Sequence, residues 1–152
     1  MSALKRVLVV GSGPIVVGQA AEFDYAGTQA VMGFHDEGLT VVGLNDNPAT
    51  SLTRKGVADI AVIAPVEPAS IMAAMQEHDC DCVAAAFGGQ VALNACITLA
   101  SDGRLRSEQL LGTPRHGIEA AENRQAFAAL AELLHAPTAD SFSITREDQI
   151  ER

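Results

Sequence analysis

Two glycine turns carry most of the polar residues of this 152-residue chain that could do chemistry. The first runs from Gly11 through Gly13 to Gly18 and leads into Gln19, Ala20, Glu22, Asp24 and Tyr25; the second is Gly88-Gly89 and leads into Gln90 and Asn94. Neutral amides such as Gln19, Gln90 and Asn94 can hydrogen-bond a carboxylate-like species without adding charge, and they can equally stabilise the loops themselves. Glu22 can guide a polar species only where it is itself hydrogen-bonded; otherwise it reads as a first-turn helix glutamate, favoured by the positive end of the dipole. Asp24 and Tyr25 read as a cap and an anchor for that helix, the tyrosine hydroxyl satisfying a local backbone group. Further on, Arg124 is a permanently charged, multi-donor group suited to phosphate, or a solvated helix-face arginine paired with Glu119 or Glu122.

The first turn is not a dinucleotide fingerprint. Its third glycine comes five residues after Gly13, and Pro14 removes an amide that would otherwise face a pyrophosphate. The run Val41-Val42-Gly43-Leu44 ends in Asn45-Asp46-Asn47-Pro48, with Asp46 offset into a turn, so no acidic residue closes the second strand where a ribose would need one. A nicotinamide-binding oxidoreductase domain is therefore disfavoured. Cys80-Asp81-Cys82 and Cys96 have no partner pair at metal spacing and read as buried free thiols. No catalytic and no metal-ligating residue is assigned.

The elements that must position these groups follow from pattern. Arg6 to Val10 suits a central parallel strand and Cys82 to Phe87 another inner one, Thr40 to Leu44 is the next strand, and Ala58 to Ile63 and Leu110 to Thr113 read as short strands. Between them lie predicted helices over 24–37, closed by Gly38, over 68–78, begun by Pro68 with Ile71, Met72 and Met75 inward, and over 91–101 with Leu93, Cys96, Ile97 and Ala100 inward. The layout predicts a doubly wound, mainly parallel α/β sheet with its glycine turns at the carboxyl edge, where open α/β sheets bind ligands. Residues 118–134 predict one amphipathic helix with Ile118, Ala121, Phe127, Leu130 and Leu134 on one side, broken by His135-Ala136-Pro137. A helix that starts near Arg146 has no length to finish, which suggests a fragment of something longer.

With 48% hydrophobic and 19% charged residues, the chain suits one compact α/β domain and is too short for two ordinary ones. A net charge of −9 with only 10 Lys and Arg, scattered along the chain, argues against a nucleic-acid surface. No continuous apolar span reaches membrane length and the N-terminus lacks a signal-peptide pattern, so the expectation is a cytoplasmic protein with no membrane partner.

Four ordered motifs carry a family resemblance: GSGPIVVGQAAEFDYAGTQA from Gly11, the turn Asn45-Asp46-Asn47-Pro48-Ala49-Thr50, Gly88-Gly89-Gln90-Val91-Ala92-Leu93-Asn94, and Gly112-Thr113 followed by Glu122-Asn123-Arg124-Gln125-Ala126-Phe127. Together they resemble the start of the large subunit of carbamoyl-phosphate synthetase, over nearly the whole chain. The resemblance implies a Rossmann-like pre-ATP-grasp domain over 1–115 and the start of an ATP-grasp domain over 116–152. It implies a parent ligase that makes carbamoyl phosphate from bicarbonate, ammonia and two ATP, with Mg and K, the ammonia coming from glutamine through a small amidotransferase subunit. Arg124 then matches an arginine that contacts ATP phosphates, and Glu22 and Ala20 match the wall of a passage for the carbamate intermediate.

Departures from that pattern are Ser51 to Gly56 and Val62-Ile63-Ala64-Pro65 in place of an acidic turn and a Tyr-Ile-Glu-Pro strand end, Phe87 at a smaller position, and Asn123 where aspartate is usual. They leave open a divergent ATP-grasp ligase, and a stand-alone binding or interaction module is a further alternative. The ATP-covering loop and the Mg ligands of the family are expected beyond Arg152. The chain by itself is accordingly expected to be inactive, to hold no cofactor tightly, to need the remainder of the large subunit as partner, and to form some homodimer through an uncovered apolar edge.

Overall fold

The computed structural model describes residues 4–14 and 20–139. The chain divides into two compact units, Met1–Pro114 and Arg115–Arg152. In the first, apolar runs make the inner strands β1 (Arg6–Val10), β2 (Thr40–Asn45) and β4 (Cys82–Ala84), buried on both faces, and the less buried edge strands β3 (Ile60–Ile63) and β5 (Leu110–Leu111). They form a parallel sheet in the order β3-β2-β1-β4-β5. The crossovers are α1 (Ala20–Asp36), α2 (Pro68–Glu77) and α3 (Gly89–Ser101). Crossovers of this kind are right-handed, so stepping from β1 to β2 and then back across β1 to β4 puts α1 on one face and α2 with α3 on the other. Val31 of α1 accordingly packs with Val7, Val9, Val41, Cys82 and Ala84, while the alternate positions Leu8, Val10, Val42, Leu44 and Val83 are buried on the opposite face. The doubly wound α/β architecture expected from the sequence is the one observed.

Two carboxylates secure the amino ends of the strands. Asp81 Oδ2 accepts the amides of Lys5 at 2.8 Å and Arg6 at 2.9 Å, and Asp59 Oδ2 accepts Val41 N at 2.7 Å and pairs with His35 Nε2 at 2.9 Å. The Arg6 amide chiefly, with that of Lys5, holds the Asp81 carboxyl below its usual range; for Asp59 the Val41 amide comes first and His35 second.

Several elements differ in extent from expectation. Helix α1 begins at Ala20, four residues before Asp24, and β4 keeps only three of the six residues from Cys82 to Phe87. The buried face of α3 is Gly89, Ala92, Ala95, Cys96 and Leu99, so Leu93, Ile97 and Ala100 are only half-buried. Small residues face the sheet there because α3 starts hard against it, and the larger ones sit on the flanks. Met72 is likewise half-buried, and Ala74 takes an inner place on α2.

In the second unit the single helix expected over 118–134 is two, α4 (Arg115–Glu122) and α5 (Arg124–Leu133), which pack on each other. Asn123 leaves helical geometry at φ −85 and ψ 112, and its side chain accepts the amides of Gln125 and Ala126 at 3.0 Å each, an N-cap that starts α5 afresh. The expected apolar stripe is thereby interrupted: Ile118 is buried, whereas Ala121, Phe127, Leu130 and Leu134 are exposed. His135, at φ 53, closes α5 with its amide on Glu132 O and that of Ala136 on Ala131 O. The helix expected near Arg146 lies outside the described residues, as do Gly18 and Gln19 and the side chain of Ala20.

Candidate ligand site at the carboxyl edge

The chain reverses its winding direction between β1 and β4, so the crevice at their carboxyl ends is where this architecture offers a ligand site. Both glycine turns open onto it. A side chain at Gly88 would strike the carbonyl oxygens of Val10 and Gly11 and the Ala92 methyl, so the start of α3 rests directly on the end of β1. Gly89 has φ +67, and a Cβ there would stand 2.7 Å from Phe23 Cζ, which brings the first turns of α1 and α3 together over the crevice. Gly13, at φ +75, lies between Val91 and Val66, so the segments after β1, β3 and β4 converge on it.

In the described part of the first glycine turn two amides are engaged. Gly11 N is spent on Leu44 O at 2.7 Å, Gly13 N is spent on Asn45 Oδ1 at 2.9 Å, and Pro14 has none. Those two donors are not free for a pyrophosphate, which agrees with the spacing that disfavours a dinucleotide site. The second turn differs, since no side chain caps the first amides of α3.

The remaining candidates divide accordingly. Glu22 is exposed in the first turn of α1, next to Phe23. Gln90 and Asn94 are exposed on α3, where Gln90 Nε2 donates to Asn94 Oδ1 at 3.0 Å. Glu22 and Gln90 are thus the chain neighbours of the two residues, Phe23 and Gly89, that meet over the crevice. Asp24 anchors something other than its own helix: its Oδ1 accepts Ser51 N at 2.8 Å and Leu52 N at 3.4 Å, tying α1 to the turn after β2. Tyr25 is 68% exposed on α1.

The comparisons with known proteins fit this architecture. Residues 3–120 match the family model described as "Carbamoyl phosphate synthase preATP-grasp domain". The chain belongs to this family. Over 140 residues, 91% of this chain, it is 43% identical to the carbamoyl phosphate synthase arginine-specific large chain of Halalkalibacterium halodurans. It is 44% identical over 93% of its length to the carbamoyl phosphate synthase large chain of Lachnoclostridium phytofermentans. The chain spans 13% and 14% of those two relatives' lengths. Among solved structures, N5-carboxyaminoimidazole ribonucleotide synthetase from Thermotoga maritima superposes on 96% of this chain and 35% of its own with a TM-score of 0.63; at 12% identity this is a likeness of fold.

Two of the departures from the family pattern have local explanations. Phe87 is half-buried and meets Phe34 edge to face, ring centroids 6.4 Å apart, so the larger residue is absorbed by the core beside α1. Asn123 caps α5, a task that asparagine and aspartate perform alike. Arg124 follows at the first position of α5, exposed and, among the described residues, in no ion pair; Glu119 pairs instead with Arg115 at 2.6 Å. The three cysteines are buried and free, and burial pushes the thiols of Cys80 and Cys82 up to about 11 and that of Cys96 up to about 12. Among the described residues no three His, Cys, Asp or Glu side chains come together as a metal-ligand group.

Sequence reasoning missed Asn45. It is 1% exposed at the last position of β2, yet an Asn-Asp-Asn-Pro run reads as ordinary turn chemistry. The available signal was an amide closing an otherwise apolar strand opposite a glycine turn.

Proposed function

We propose that this domain is the N-terminal part of a carbamoyl phosphate synthase large chain, a ligase that makes carbamoyl phosphate from bicarbonate, ammonia and ATP. The observation that carries the reading is identity above 40% to such large chains across more than nine tenths of this chain. In this reading the crevice between α1 and α3 belongs to the wall of the passage that a polar intermediate follows, with Glu22, Gln90 and Asn94 as its polar residues; Gln19 and Ala20 are assigned to that wall from the sequence alone. The exposed amides and the Glu22 carboxylate supply hydrogen bonds to such a species without a tight, charged trap.

Arg124 fits a role at ATP phosphate: it is exposed, permanently charged and in no ion pair among the described residues. The nucleotide supplies the phosphoryl group when bound. Among the described residues no three His, Cys, Asp or Glu side chains come together, so Mg ligands are assigned to the rest of a large chain. The division of labour gives the rest of a large chain the phosphoryl chemistry and a glutamine amidotransferase subunit the ammonia.

Calorimetric titration of the 152-residue chain with Mg-ATP tests this division. No detectable heat is expected, because one guanidinium without further phosphate donors holds nucleotide weakly. Micromolar binding abolished by Arg124→Ala would mean that the domain is a nucleotide module in its own right.

A further inference from the structure

We propose that Asn45 is the positioning residue of the carboxyl edge: its carboxamide locks the glycine turn after β1 to the 47–53 turn after β2 and keeps the Gly13 amide turned into the protein. Asn45 is among the few buried polar residues described, and its polar atoms are used on both sides. Its Oδ1 accepts Gly13 N at 2.9 Å and Asp46 N at 3.0 Å, and its main-chain oxygen accepts Ala64 N at 3.1 Å from the segment after β3. Nδ2 approaches Thr50 Oγ1 at 3.4 Å. The carboxamide orientation follows from chemistry, because Gly13 and Asp46 offer only N–H groups and must meet the oxygen.

Thr50 is itself fixed. It is buried, its hydroxyl lies 3.2 Å from Asn47 O and 2.9 Å from Thr53 Oγ1, and Thr53 Oγ1 lies 3.0 Å from the same carbonyl, so the two hydroxyl protons are shared among these contacts. A Thr50 lone pair is left for Nδ2 in either arrangement. On the other side the carboxamide lies so close to Gly11 that a Cβ there would be 2.8 Å from Asn45 Cγ. The absent side chain at Gly11 and the inward amide of Gly13 thus both answer to one residue. A leucine of the same size would strand two buried amides, and an aspartate would keep the acceptor but lose the donor to Thr50.

The inference goes beyond the ligase reading and rests only on these bonds, so either can fail without the other. The test is amide exchange and chemical shift in the 15N-labelled 152-residue chain, with Gly11 as the internal reference because its bond runs to a backbone carbonyl. In Asn45→Ala, exchange at Gly13 is expected to rise about tenfold relative to Gly11. In Asn45→Asp, protection at Gly13 is expected to persist at neutral pH, and its amide proton shift is expected to follow the titration of the introduced carboxylate. Equal loss of protection at Gly11 and Gly13, or none at Gly13, in Asn45→Ala would overturn the proposal. So would a Gly13 shift that stays flat while the Asn45→Asp carboxylate titrates, and this second profile decides alone if the alanine variant does not fold.

Discussion

At Gly88 any side chain would run into the carbonyl oxygens of Val10 and Gly11, which belong to backbone that cannot rotate away. Gly88→Ala is therefore expected to cost about 3 kcal/mol by forcing α3 off the end of β1. Gly89→Ala meets the far edge of the Phe23 ring and a positive φ, and relaxation of the ring limits its cost to about 2 kcal/mol. Urea unfolding of the two variants checks the order, and a Gly89→Ala more harmful than Gly88→Ala would contradict this packing. Both glycines were visible in the sequence as a turn at a strand end. What could not be read was that Gly88 is required by close approach of backbone and Gly89 by an aromatic ring from a helix some 65 positions earlier in the chain, since both reasons are tertiary. Asn45 was opaque for a similar cause: its partner Gly13 is 32 residues away, and only the fold brings the amide to it.

Strands and crossovers were legible because burial on both faces demands the β-branched and leucine runs seen at Arg6–Val10 and Thr40–Asn45. Helix phase was less so: on α3 the apolar positions at 92, 95, 96 and 99 compete with those at 93, 97 and 100, and alanine gives a weak signal for the side nearest the sheet. The joint between α4 and α5 was missed because apolar spacing runs on through Asn123, although an asparagine before Arg-Gln-Ala is a usable N-cap signal. Asn123→Ala is expected to lower the stability of α5 by about 1 kcal/mol and Asn123→Asp to leave it unchanged, read from helical circular dichroism during thermal unfolding. An Asn123→Ala variant as stable as the parent chain would show that the cap contributes nothing.

The strand-end carboxylates give the sheet a pH dependence. Asp59 and Asp81 have lowered values when folded, so their contribution is present above the usual carboxylate range near 4 and is lost as pH falls through the folded values. Each is substantially exposed, which holds the effect to about 1 kcal/mol or less. Asp59→Asn with Asp81→Asn is expected to reduce stability at pH 7 and to flatten its decline between pH 5 and pH 2.5, followed by urea unfolding. A decline as steep as that of the parent chain would assign the acid sensitivity to other groups.

At the scale of the whole molecule, a net charge of −9 disfavours a nucleic-acid role, and among the described residues no helix is long and apolar enough to cross a membrane. Family membership rests on residues 3–120, and the chain spans 13% of the Halalkalibacterium halodurans relative. Within residues 3–120 the carboxyl edge of the sheet and its crevice are the features that the proposed role uses. The most direct test exchanges this chain for the matching segment of the Halalkalibacterium halodurans large chain and measures carbamoyl phosphate formed from bicarbonate, ammonia and ATP. Retained synthesis is the predicted result. A chimera that folds but forms no carbamoyl phosphate and shows no bicarbonate-dependent ATP hydrolysis would contradict the proposed function.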